Sequence, residues 1–258
     1  MISVAPAFIQ LSVIKITCNC CFLSLSLQIK IRYPKYAKKT PKYMKTLQIP
    51  YAEQLNNATI ADAALVLEES GRKLVIESVN WPTQFPYKPI THCVVARSSQ
   101  SLFLRFYVWG NMLKAVYYTD QSPVHEDSCV EFFCKLPGAD EYRNFEFNCI
   151  GTCSASVRKG RKEDVRPFST EEMKTIKRLP SIVPKAFNEL SGHFEWDLTV
   201  EIPFDLMGID AQHLPEFIEG NFYKCADDTE FPHFLSWNPI ETEKPDFHRP
   251  EFFGKIVF

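Results

Sequence analysis

Three polar side chains stand inside strongly apolar runs. Glu131 lies within Cys129-Val130-Glu131-Phe132-Phe133, and Glu146 and Asn148 lie within Asn144-Phe145-Glu146-Phe147-Asn148. If the two runs are neighbouring strands, Glu131, Glu146 and Asn148 share one face. Carboxylates accept short, charge-assisted hydrogen bonds from hydroxyl groups. Aromatic rings pack on the apolar side of a sugar ring while polar groups fix its orientation. That chemistry suits a polyhydroxylated ligand. The same residue types would serve a hydrolase with paired carboxyls, given a defined separation and pKa values pushed apart. The plain alternative is the solvated face of a sheet. His125, in Val124-His125-Glu126-Asp127, has the chemistry of a general base or metal ligand and also suits an ordinary loop. No Gly-x-Ser-x-Gly nucleophile motif occurs. The run from Phe231 to Pro239 and the run from Pro245 to Gly254 concentrate aromatics with His233, Trp237, Phe247, His248 and Arg249 between prolines. Binding residues gather in loops of this kind on a rigid scaffold; such aromatics also close the end of a core.

The elements that must position these residues follow the strand period of two. In Glu195 to Ile202, Trp196, Leu198, Val200 and Ile202 fall on one face and the polar residues on the other, the pattern of a half-buried antiparallel strand. Pro203 ends it, and Phe204 to Gly208 suits a short helical turn. Similar alternation predicts strands over Ser101–Trp109, Met112–Tyr118 after a turn at Gly110-Asn111, Cys129–Leu136, and two strands around Gly151 between Tyr142 and Val157. Further strands are expected at Lys73–Ser78, His92–Arg97, Asn221–Ala226, His233–Trp237 and Phe252–Phe258. Helical signal is confined to Ala61–Ser70 and to the capped stretch Ser169-Thr170-Glu171-Glu172-Met173. Arg158 to Lys185 is polar and reads as a surface excursion. About ten short strands with one or two short helices predict an all-β antiparallel sandwich, immunoglobulin- or jelly-roll-like.

The formal charge of −2 is a sum of unlike parts. The first 43 residues carry seven basic side chains and no Asp or Glu, which leaves residues 44–258 at −9. An acidic domain argues against nucleic-acid partners and anionic membranes and suits a neutral, hydroxyl-rich ligand. In the basic leader, Lys15 leaves only a 14-residue uncharged stretch, Ile16 to Ile29, short for a membrane span. Its charges mostly follow the apolar run, the reverse of a secretion signal. An export signal, a functional basic arm and non-native coding sequence all remain open for residues 1–43, and composition favours the last. A start at Met44 implies a cytoplasmic protein; cleavage within residues 1–43 implies export. Residues 44–258 form the single expected domain, with no membrane span. It holds six cysteines, Cys93, Cys129, Cys134, Cys149, Cys153 and Cys225, and no C-x-x-C. They suit buried thiols of a reducing compartment or three bridges, and no structural metal is expected at Cys149 and Cys153.

The ordered set of motifs resembles the family 9 carbohydrate-binding modules, within the wider DOMON-like sandwich group, and is most similar to the family-9-like proteins of Bacteroidetes. It runs Asp127 to Phe133, Phe145-Glu146-Phe147-Asn148, Trp196 to Pro203, Gly220-Asn221-Phe222, Ser236-Trp237-Asn238-Pro239, and Phe252 to Val257. The resemblance covers about residues 73–258. It implies a sandwich that binds sugar ends beside glycoside hydrolases, without catalysis of its own. The family's two slot tryptophans match His125 and Phe247, its slot carboxylate Glu131, its slot arginine Glu146 with the charge reversed, and an amide about Tyr223. The expected ligand set is His125, Phe247 and Trp237 as rings, Glu131, Glu146, Asn148 and Arg249 as hydrogen-bonding groups, and Tyr223 and Lys224 nearby. No cofactor is expected; the family often carries structural calcium, and acids are present here without a loop of regular calcium-ligand spacing. The rival readings are a glycoside hydrolase using Glu131 and Glu146, a haem module with a Met or His axial pair, and a scaffold or interaction role.

Overall fold

The computed structural model describes residues 44–258; the leader and the expectations attached to it lie outside the described residues. The chain starts with β1 (Thr46–Gln48), then α1 (Ile60–Ser70), β2 (Arg72–Val75), β3 (Ser78–Val79), β4 (Ile90–Arg97) and β5 (Ser101–Ala115). Three short strands follow: β6 (Cys129–Lys135), β7 (Tyr142–Asn148) and β8 (Cys153–Arg158). Next come β9 (Arg166–Pro167), α2 (Thr170–Thr175) and β10 (Lys177–Pro180), then β11 (Phe187–Pro203), β12 (Phe217–Cys225), β13 (Phe234–Ser236) and β14 (Gly254–Val257).

These strands form two sheets. One has the order β10-β11-β5-β4-β2; the other has nine strands, β1-β14-β12-β6-β7-β8-β9 with β13 beside β12 and β3 beside β13. β12 forks: its first half pairs β14 and its last three residues pair β13. β1 lies parallel to β14, joining the two ends of the domain. Alternate residues from both sheets meet in the main core, where Phe132 and Phe222 pack 4.9 Å apart opposite Trp196, Leu198 and Val200. Burying each such Phe contributes about 2–3 kcal/mol, which is why the alternation read from the sequence survives in the fold.

Two further layers cover the sandwich. α1 is capped by Thr59, whose Oγ1 accepts from the Asp62 N–H, and it packs Ala63 and Leu67 on Val94, Ala96 and Phe103 of the five-stranded sheet. Beyond α1, the same sheet face carries His92, Tyr107 and Trp109 as parallel rings, His92 being 4.7 Å from Tyr107 and 5.3 Å from Trp109. On the nine-stranded sheet, the loop after β3 and the loop between β13 and β14 lay a second aromatic cluster, including Trp81, Phe247, Phe252 and Phe253, over Phe133, Tyr142 and Tyr223.

Three expectations are corrected. Gly110-Asn111 is not a turn: β5 runs straight through it, paired along its length with a long β11 that begins at Phe187. β11 absorbs the mismatch through register shifts near Gly192, whose φ of 147° suits glycine, while the Asn111 N–H donates to Tyr87. The stretch from Arg158 to Lys185 is not a mere excursion, since it contains β9, α2 and β10 and buries Phe168, Met173 and Ile176. Its α2 carries a full capping box between Ser169 and Glu172. Among the described residues there are fourteen strands, where about ten were expected. Among the described residues, no helix is long and apolar enough to cross a membrane.

Candidate functional site

Cross-strand register brings the polar positions together. On the face of the nine-stranded sheet turned away from the main core, Tyr223, Glu131, Glu146 and Ser154 stand in one row across β12, β6, β7 and β8. One rung toward the strand ends, Cys225, Cys129 and Asn148 form the next row. The period of two places Ser156 and Arg158 on this face as well. The row forms the floor of a cleft of about 580 Å³, with Glu131, Glu146, Ser154 and Cys225 lining it. That size falls in the range of small-molecule sites.

One wall is aromatic. Phe247 and His248 line the cleft beside Phe234. Phe247 is held by its ring, stacked 4.2 Å from Tyr223 at 12°, and by its carbonyl, which accepts from the Tyr223 hydroxyl at 3.2 Å. Trp81 packs 6.4 Å from Phe247 and donates its Nε1–H to the Thr242 carbonyl, pinning the loop that carries this wall. His248 shares a hydrogen bond with Tyr142 at 2.9 Å and packs on Phe133; burial and the nearby Arg158 lower its pKa to about 3, so it is neutral. The facing wall is the 3-10 turn Val124–Glu126, with His125 at the rim. His125 Nδ1 lies 3.8 Å from a Glu146 oxygen, and burial lowers its pKa. Arg158, Arg161 and Lys162 supply positive charge along the remaining edge. Arg158 is aimed by two bonds to the Ser156 hydroxyl, at 2.9 and 2.7 Å.

The carboxyls of the floor sit in an unusual state. Burial pushes Glu146 from an ordinary 4.5 to about 7, against the pull of Arg158 and the Asn144 amide. Burial, then the neighbouring Glu146, raises Glu131 well above its usual range, and Glu131 accepts from the Cys225 thiol at 3.0 Å. Burial and Glu146 raise Asp227, beyond the end of β12, to about 7. A site of this kind offers hydroxyl-like donors as well as acceptors to a ligand.

Of the expected ligand set, His125, Glu131, Glu146 and Phe247 line the cleft, and Tyr223 stands behind Phe247. The others do not. Asn148 uses its amide to hold the strand end, donating to the Tyr117 carbonyl and Asp127 and accepting from the Thr152 N–H. Trp237 packs in the main core against Phe222. It follows Ser236, which pairs with Tyr223 on the cleft face, so the alternation turns it inward. Lys224 points away for the same reason: its partner is Val130, a core residue, and its ammonium donates to the Cys225 carbonyl. Arg249 lies outside the cleft and pairs with Glu251. Conversely, Arg158, Arg161 and Asp227 were not expected. Continuing the period through Ser154-Ser156-Arg158 and Tyr223-Cys225-Asp227 would have found two of them. Arg158 on β8 and Arg161 in the loop after it thus bring positive charge to the cleft beside Glu146.

The sequence profile of carbohydrate-binding family 9 matches residues 61–258. The chain belongs to carbohydrate-binding family 9. It is a non-catalytic carbohydrate-binding module, so the hydrolase reading falls away. Among solved structures, a candidate carbohydrate-binding protein from Bacteroides uniformis shares 33% identity at a TM-score of 0.76, over 84% of this chain and 100% of its own. A family 9 module from Caldicellulosiruptor kristjanssonii, solved with cellotriose, aligns at a TM-score of 0.51 and 9% identity over 83% of this chain and 93% of its own. The same organism's module solved with glucose aligns at 0.51 and 10% identity, over 83% and 95%. These two share the fold. No curated protein sequence matches the chain. For the calcium that the resemblance implies, the group of His, Cys, Asp or Glu side chains close enough to share one ion, among the described residues, is Cys129, Glu131 and Cys225. Two of those are thiols, and calcium takes six to eight oxygens.

Proposed function

We propose that this family 9 module binds one end of a saccharide in the cleft between Phe247 and His125. The sugar's apolar face rests on Phe247, and its hydroxyls bond to Glu146, Asp227 and Arg158. The observation that carries the reading is the meeting, in one cleft, of a rigid aromatic wall with buried carboxyls and an oriented arginine. A floor closed by Glu131 suits the end of a chain better than its middle. That the module serves a glycoside hydrolase acting on the same polysaccharide belongs to this proposal too, supported by what the resemblance implies of the family. The relatives solved with cellotriose and glucose support the ligand class.

The test is calorimetry over a panel of monosaccharides and oligosaccharides, followed by the cleft variants Phe247→Ala and Glu146→Gln. At least one sugar is expected to bind, with affinity reduced at least tenfold by either change. A folded protein that binds no sugar at millimolar concentration overturns the proposal.

A further inference from the structure

We propose that Cys129, Glu131 and Cys225 form a binding site for a zinc-type cation in the floor of the cleft. Cys129 and Glu131 are two apart on β6 and so share a face, and Cys225 on β12 is the direct cross-strand partner of Cys129. Their two sulfurs and one carboxylate oxygen all lie within 4.8 Å of one another. A single oxygen, Glu131 Oε1, is 3.0 Å from the Cys225 sulfur and 3.9 Å from the Cys129 sulfur, so the three donors converge on one point. All three residues are buried, held by a continuous ladder on each side, which makes the cage pre-formed.

The donor set selects the ion. Two thiolates and a carboxylate suit zinc or cobalt, whereas calcium and magnesium require oxygen shells. Three protein ligands leave one position of a tetrahedron open. Glu131 and Cys225 line the cleft, so the ion has a path inward. Asp227, two residues beyond Cys225, lines the same cleft, and its Oδ1 is buried without a hydrogen-bond partner. Its carboxyl stands outside the group of three that can share one ion directly and is placed to hold a water that completes the shell. On binding, each thiol and the Glu131 carboxyl release their protons to solvent as they bond the ion, so no oxidant or reductant is involved.

The experiment uses the full chain, reduced and freed of metal, titrated with Co²⁺ and then displaced by Zn²⁺. The expected result is one equivalent of Co²⁺ with an intense sulfur-to-cobalt charge-transfer band that Zn²⁺ abolishes. Cys129→Ser and Cys225→Ser lose the band, Glu131→Gln weakens binding at least tenfold, and Cys134→Ala, a core thiol of the same strand, changes neither. Folded, reduced wild-type protein without the band overturns the proposal and does so independently of how any variant folds. A band that survives both Cys129→Ser and Cys225→Ser also overturns it, by assigning the metal to other thiols such as Cys18, Cys20 and Cys21. Sugar binding plays no part in this readout.

Discussion

Glu146→Gln is the perturbation whose size the structure fixes best. The buried carboxyl has a folded pKa of about 7 against an ordinary 4.5. Folded protein therefore keeps a proton that the unfolded chain has released between those values. A raised acid pKa means that stability falls as pH rises through this window. Glutamine keeps an oxygen for the Asn144 amide and cannot ionise. The variant's stability relative to wild type should thus climb from its acid value by about 3 kcal/mol, reaching a plateau above about pH 7 (roughly 2.5 pKa units at 1.36 kcal/mol each). Any packing change from the substitution is a constant offset and drops out of the slope. Urea unfolding of both proteins, followed by tryptophan fluorescence from about pH 4 to about pH 8, measures the difference directly. His248, whose lowered pKa owes nothing to Glu146, is common to both proteins and cancels. A stability difference that stays flat across that range refutes the buried, proton-holding floor.

Other outcomes follow from where side chains point. Phe247→Ala should weaken saccharide binding at least tenfold, about 1.4 kcal/mol, in calorimetry on protein whose circular dichroism is unchanged. Asn148→Ala should cost about 2–3 kcal/mol of stability in urea unfolding, because it strands the buried Thr152 N–H and removes one of three hydrogen bonds to the buried Asp127 carboxylate. The affinity of the molecules that remain folded should match wild type. Arg249→Ala, which removes a surface pair with Glu251, should change stability by less than about 0.5 kcal/mol and leave sugar affinity unaltered.

The floor of the cleft was legible in the sequence because strand alternation is strict. Glu131 and Glu146 broke an aromatic pattern, and neighbouring strands put them in one row. Asn148 broke the same pattern for another reason: it sits at a strand end, where backbone groups need an amide partner. Alternation says that two faces differ without saying which is the core. Trp237 and Lys224 needed the pairing of β12 with β13 and β6 before their direction was fixed. Gly110-Asn111 carried a hairpin signal that lost to a long partner strand able to bulge around it. Arg158 and Arg161 were hidden in a run whose polarity suggested only solvent, although β8 carries Arg158 onto the cleft face. Cys225 looked like another buried thiol until register set it opposite Cys129.

The central claim concerns where the sugar sits. The most direct measurement is the backbone amide spectrum of the labelled protein, titrated with the best saccharide from the panel. Shifts should cluster at Glu146, Ser154, Asp227 and Phe247, around the cleft on the nine-stranded sheet. Shifts confined instead to His92, Tyr107 and Trp109, on the outer face of the five-stranded sheet, would contradict it.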